Sequence, residues 1–90
     1  MTDDDSSTRD AVTRALDEDV GTLLGLEAGA PIDRRRRLDT MGLDSLMAMD
    51  LLALLEGRYG SLPQDLIRDN PTIQLLTDAL VARLATTRGS

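Results

Sequence analysis

The sequence predicts an all-α domain of four helices, three main ones and a short one, with a long first loop. Three observations carry this. Apolar residues recur at helical spacing in three separate stretches. Start and stop signals bracket those stretches. No stretch alternates in the manner of a strand: Tyr59 is the one aromatic residue, and the β-branched residues are scattered.

The elements follow in chain order. Residues 1–7 are polar and acidic and are expected to be flexible. From about Thr8 the residues Val12, Ala15, Leu16, Val20, Leu23 and Leu24 form one helical stripe, so the first helix is placed at 8–26. Ser7 and Asp10 outline a capping box for it. Gly21 and Gly25 each weaken a helix interior by roughly 1 kcal/mol relative to Ala, which leaves its far end loosely specified. Residues 27–44 hold Gly29, Pro31 and Gly42 and no sustained period. Loops this long are usually functional or disordered, and the apolar Ile32, Leu38, Met41 and Leu43 suggest one pinned to the core. The second helix is predicted from Ser45 to about Tyr59, stopping before Gly60. Gln64–Asp69 is expected to make one short turn through Leu66 and Ile67. Asn70-Pro71-Thr72 then starts the last helix, with Pro71 at its first position, and Ile73, Leu76, Leu80 and Leu84 as its apolar stripe. The domain is taken as 8–86, with 87–90 as a flexible tail.

Composition removes several classes of function. The 90 residues contain no Cys and no His, so disulfides, thiolate sites and the usual general base and zinc ligand are all missing. All ten basic residues are Arg, against sixteen Asp and Glu, and the net charge is −6. That balance disfavours nucleic acid and anionic membranes as partners and suits a protein that meets basic surfaces on other proteins; a monomer is expected. The charge is uneven: residues 1–30 carry −6, 31–40 carry +2, 41–60 carry −2 and 61–90 are neutral. The N-terminus lacks a basic and apolar signal pattern, and Leu43–Leu55 is too short and too polar to span a bilayer. A cytoplasmic location is expected.

The chemistry concentrates in Gly42-Leu43-Asp44-Ser45-Leu46-Met47-Ala48. A serine stands where a loop becomes a helix, after a glycine and an acid. In isolation it reads as an N-cap. The same place offers free backbone N–H groups and the positive end of the helix dipole, which favour a phosphate. Every position from Leu46 to Leu55 except Asp50 is Leu, Met or Ala. One apolar stripe suffices for a helix in so small a domain. Ala48, Leu51, Leu52 and Leu55 are assigned to the core with Tyr59, leaving Leu46, Met49 and Ala53 facing elsewhere. Exposed apolar surface of that kind marks a partner contact, and Met suits adaptable ones.

Those residues resemble the phosphopantetheine attachment motif of acyl carrier proteins, in the version typical of polyketide synthases. Asp69-Asn70-Pro71-Thr72-Ile73 resembles the family's second marker, with Pro71 26 residues after Ser45, and the Pro31–Arg37 loop is similar too. The resemblance covers about residues 10–85. It implies a four-helix carrier bundle whose Ser45 bears 4′-phosphopantetheine, moved there from coenzyme A by a phosphopantetheinyl transferase that uses Mg²⁺. It makes Asp44 part of the attachment motif and a contact for the transferase or its metal. It implies that Leu46, Met49, Asp50 and Ala53 meet partner enzymes: an acyltransferase, a ligase or a ketosynthase of a polyketide (antibiotic) pathway. The second helix departs from the family in having few charges, Asp50 and Glu56 before Arg58, so recognition is expected to lean on apolar fit.

Two readings compete with a carrier: a helical protein–protein interaction module without a prosthetic group, and, more remotely, a small acid–base enzyme on Asp44 and Ser45. The residue inventory argues against catalysis, and a carrier needs no cysteine because the arm brings its own thiol. The chain starts with Met and holds little beyond one domain, which favours a discrete carrier over a synthase fragment. Arg34–Arg37 is expected either to balance the acidic first helix or to meet an acidic partner or the arm's phosphate, at close range only because salt screens charge beyond about 8–10 Å. The identity of the acyl cargo is not encoded in any of these residues.

Overall fold

The computed structural model describes residues 3–27 and 29–89, with side chains described for 7–27 and 29–85. Four helices form: α1 (Asp3–Leu24), α2 (Ser45–Tyr59), α3 (Leu66–Asp69) and α4 (Ile73–Gly89), with a 3-10 turn at Asp39–Met41 in the first loop. No strand occurs among the described residues.

Helix α1 is the frame. Its Val12, Leu16 and Val20 recur every four residues, so they share one face, and all are buried. Against that face pack Leu51 and Leu55 of α2 and Ile73, Leu76 and Leu80 of α4, all fully buried. Each such side chain contributes about 1.5–3 kcal/mol on leaving water. Leu66 and Ile67 of α3 close the end of the core, and Leu84 packs at its edge.

Helix α1 begins at Asp3, five residues before the predicted start, so Ser7 lies inside the helix and the Ser7–Asp10 capping box does not form. Of the ends expected to be flexible, Met1, Thr2 and Ser90 lie outside the described residues, and α4 continues to Gly89. Gly25 also has a different role from the one predicted. It stands just beyond the helix with φ +75°, its N–H donates to the Thr22 carbonyl at 3.2 Å, and the Leu26 N–H donates to the Gly21 carbonyl at 2.8 Å. That pair of bonds is the Schellman ending, which needs a left-handed residue and so selects glycine. Gly25 therefore terminates the helix instead of weakening it.

The start of α4 differs in the same way. Thr72 is the cap, its hydroxyl accepting from the Leu75 N–H at 3.1 Å, so Pro71 stands one residue outside the helix and not at its first position. The freed Pro71 carbonyl accepts from the Leu38 N–H at 2.8 Å, and the Arg34 carbonyl accepts from the Gln74 N–H at 3.0 Å. These two bonds tie the first loop to the α3–α4 junction. Leu38 and Leu43, both buried, anchor the loop from the core side, as the apolar punctuation of residues 27–44 predicts.

Candidate functional site: the start of α2 and its groove

Leu38 and Leu43 bracket the 3-10 turn, and Gly42 between them has φ +110°. An L side chain is strained in that conformation, so glycine is what lets the chain reverse and drive Leu43 into the core two residues before Ser45. Asp44 follows in extended backbone, and its Oδ1 accepts from the Met47 N–H at 2.8 Å. Asp44, not Ser45, is the N-cap of α2. Ser45 is the first helical residue, and its exposed hydroxyl makes no hydrogen bond among the described residues. The reading of Ser45 as a cap is thereby corrected. Its hydroxyl stands free at the positive end of α2, beside first-turn N–H groups that have no partner within the helix.

Ser45 opens onto a groove of about 380 Å³ between α2, α3 and the first loop. Leu43, Ala48, Leu52 and Ile67 give it apolar walls, and Arg37 and Arg68 stand among its lining from opposite elements. Each arginine is paired locally. Arg37 reaches Asp39 with two bonds at 3.1 and 3.2 Å, and Arg68 reaches Asp65 at 2.9 Å. The Arg37 hydrogen bonds hold the Asp39 carboxyl below the usual carboxylate range.

Two of the remaining loop arginines are engaged elsewhere by their side chains. Arg34 bridges to Asp17 of α1 at 2.6 Å, which balances the acidic first helix as one of the two readings predicts. Arg36 donates to the Thr40 hydroxyl and carbonyl at 3.2 and 3.0 Å. The run of four is thus divided, and only Arg37 reaches the groove beside Ser45.

On α2 the predicted partition holds. Leu51 and Leu55 are buried, Ala48, Leu52 and Tyr59 are half-buried, and Leu46 and Met49 are 72% and 69% exposed. Asp50 and Ala53 share that outward face. Glu56 turns its carboxylate to the Leu62 N–H at 3.2 Å, and Arg58 turns to Asp19. Asp50 is left as the carboxylate of an otherwise apolar face. Burial lifts the Tyr59 hydroxyl above its ordinary range. Arg68, Asp65 and Ile67 were not selected as site residues on sequence grounds. Their place in the groove depends on how the four-residue α3 packs across α2, which has no local signature.

The family model for the phosphopantetheine attachment site matches residues 14–80, a span from the middle of α1 to the middle of α4 that includes the whole groove. The chain belongs to that family. It is a carrier domain, defined by a covalently held 4′-phosphopantetheine and not by catalysis. Among curated proteins, the carrier is 47% identical over 60 residues to one subunit of the phenolphthiocerol/phthiocerol polyketide synthase of Mycobacterium tuberculosis, a match covering 66% of this chain and 3% of that protein. It is 38% identical over 77 residues to the spectinabilin polyketide synthase system protein NorB of Streptomyces orinoci, covering 84% of the chain and 4% of the relative. It is 44% identical over 66 residues to the erythronolide synthase EryA2 of Saccharopolyspora erythraea, covering 72% and 2%. The carrier thus spans a small fraction of the length of the relatives it matches. Among the described residues no helix is long and apolar enough to cross a membrane, and no group of acidic side chains is arranged to hold a metal ion.

Proposed function

We propose that the carrier serves polyketide assembly, with Ser45 as the attachment point of the arm. The observation that supports this best is the division of labour at the start of α2: Asp44 caps the helix, so the Ser45 hydroxyl is left unbonded and exposed. The residues suit the group. A phosphodiester on Ser45 Oγ would meet the positive helix end and the free first-turn N–H groups, and the groove beside it offers apolar walls with charged rims. When attached, the arm supplies a terminal thiol that holds acyl groups as thioesters.

The chain's own residues do the rest. Asp44 holds Ser45 at the first helical position through Oδ1, and its exposed carboxylate serves as a contact for the transferase or its Mg²⁺. Leu46, Met49, Asp50 and Ala53 form the face offered in turn to the transferase and to a ketosynthase, acyltransferase or ligase. With a single carboxylate on that face, docking relies on apolar fit more than on steering. The working form is a monomer, in the cytoplasm, and it touches neither nucleic acid nor membrane.

Intact mass spectrometry tests the attachment. The purified protein, incubated with coenzyme A and a broad-specificity phosphopantetheinyl transferase, is expected to gain one phosphopantetheine, and Ser45→Ala none. No gain by the wild type, with a transferase shown to be active, would reject the assignment.

A further inference from the structure

Gly57 stands in the last turn of α2 with no internal reason to be glycine. Positive φ explains four of the described glycines, Gly25 and Gly42 among them. Gly21 is buried, and a methyl group there would meet Ile32 at 3.9 Å and Leu26 at 4.0 Å. Gly57 has neither feature: it lies within α2 without a positive φ, and a methyl group added to it would have open space around it. Alanine would fit there and would strengthen the helix, since glycine is among the poorest helix formers. The chain forgoes stability at this position, and nothing among the described residues gains by it.

The place of Gly57 on the helix supplies an external reason. Residues 46, 50, 53 and 57 follow the i, i+4, i+7, i+11 spacing that lines one face of a helix. Gly57 therefore shares the outward face of Leu46, Asp50 and Ala53, all exposed, and lies away from the buried Leu51 and Leu55. Along that line the side chains shrink with distance from Ser45: leucine, aspartate, alanine, glycine. Leu46 and Met49 can anchor in a partner beside the serine, whereas at Gly57 the helix backbone itself is bare. An enzyme acting on the Ser45 hydroxyl has to cover the start of α2. Gly57 is twelve residues further on, about 18 Å along the axis. A stable interface buries about 800 Å² on each partner, a patch roughly 30 Å across. An enzyme seated over Leu46 and Met49 thus reaches Gly57 as well.

We propose that Gly57 is the far end of the docking face, where the surface of a phosphopantetheinyl transferase lies directly against the bare backbone of α2. This rests on Ser45 being the attachment point. Glycine is what such a contact requires, because a Cβ would hold the two surfaces apart, and a gap at an interface forfeits its dispersion contacts. The residue sets how closely the enzyme fits and takes no part in the transfer itself.

Three variants separate fit from folding. Gly57→Ala and Gly57→Leu add bulk at the contact, and Ala11→Leu adds it at an exposed position of α1. Each is titrated as the substrate of a broad-specificity transferase with coenzyme A, and each is thermally unfolded. Gly57→Ala is expected to raise Tm by about 3–6 °C and yet to raise the KM for the carrier about threefold. Gly57→Leu is expected to raise that KM about tenfold, with kcat within about twofold of wild type in both. A better-folded carrier that is a poorer substrate is a result no role in folding gives. Ala11→Leu is expected to leave KM unchanged. An unchanged KM in Gly57→Leu would overturn the proposal, as would a fall in Tm for Gly57→Ala, which would give the glycine an internal role. An equal rise in KM for Ala11→Leu would overturn it too, and so would a loss confined to kcat, which would place the disturbance at Ser45. Failure of the attachment reading looks different: the wild type would then gain no phosphopantetheine at any concentration.

Discussion

At the start of α2 one hydroxyl has to remain available, and its neighbour makes that possible. Serine and aspartate are comparable N-caps, so either Asp44 or Ser45 has the chemistry to close the helix. The left-handed Gly42 and the buried Leu43 decide between them by delivering Asp44, in extended backbone, to the cap position. The consequence can be tested by separating the cap from the charge. Asp44→Asn keeps a cap acceptor and is expected to stay within a few tenths of a kcal/mol of wild type. Asp44→Ala is expected to lose about 1 kcal/mol, with faster hydrogen exchange at the Met47 amide. Both remove the carboxylate charge, so both are expected to accept the arm more slowly. An Asn variant modified as fast as wild type would reduce Asp44 to a cap alone.

Helix α2 has two sides with different duties, and its composition hides that at first sight. With nine apolar residues in ten from Leu46 to Leu55, average hydropathy says only that the helix is buried somewhere. The division emerges from spacing: Leu51 and Leu55 repeat at four residues and meet α1, and Leu46, Met49 and Ala53 fall opposite. Met49→Glu places a charge on the outward face without touching the core. It is expected to leave far-UV circular dichroism unchanged and stability within about 0.5 kcal/mol, while slowing acyl transfer from a partner about tenfold, the equivalent of roughly 1.4 kcal/mol of docking. Unaltered transfer would remove this face from the recognition surface. Periodicity made α2 and α4 legible because their faces are set by local spacing. It misplaced the start of α1, because an amphipathic stripe marks only the part of a helix that is packed, and the residues before Thr8 carry no apolar repeat. It also misjudged Gly25, since a glycine that ends a helix and one that weakens it look alike until the backbone dihedral is known. Ser45 and Asp44 were legible as a pair through their motif. Their roles as free hydroxyl and cap were not, and neither was Arg68, whose place in the groove is a matter of tertiary packing.

Across the whole molecule, arginine does much of the joining that aromatic side chains would do in a larger core. Arg9 of α1 pairs with Asp78 of α4, Arg34 of the loop with Asp17 of α1, and Arg58 of α2 with Asp19 of α1. The acidity of α1 is therefore spent partly on holding its neighbours, not only on partners. These ties are unequal. The first two are part-exposed, and an ion pair open to solvent contributes about 0–1 kcal/mol and is weakened by salt. Asp19 is 6% exposed and takes a two-pronged contact from Arg58, with both bonds at 3.0 Å. Removing the arginine would leave a carboxylate in a buried place with its charge unanswered, which costs more than the pair itself supplies. Arg58→Ala is expected to destabilise by about 1–3 kcal/mol, less than a fully buried pair because the guanidinium is itself part-exposed. For a domain of this size that corresponds to a fall in Tm of about 4–8 °C per kcal/mol. Arg58→Lys is expected to recover only part of the loss, because an ammonium cannot reproduce the fork that meets both oxygens. Asp19→Asn combined with Arg58→Ala is expected to lie nearer wild type than Arg58→Ala alone, since the double change removes the buried charge along with its partner. Thermal unfolding of the three variants at low and high salt checks the order. A double variant no more stable than Arg58→Ala would mean that the cost lies in lost packing of the arginine stem over α1, and not in the carboxylate left behind.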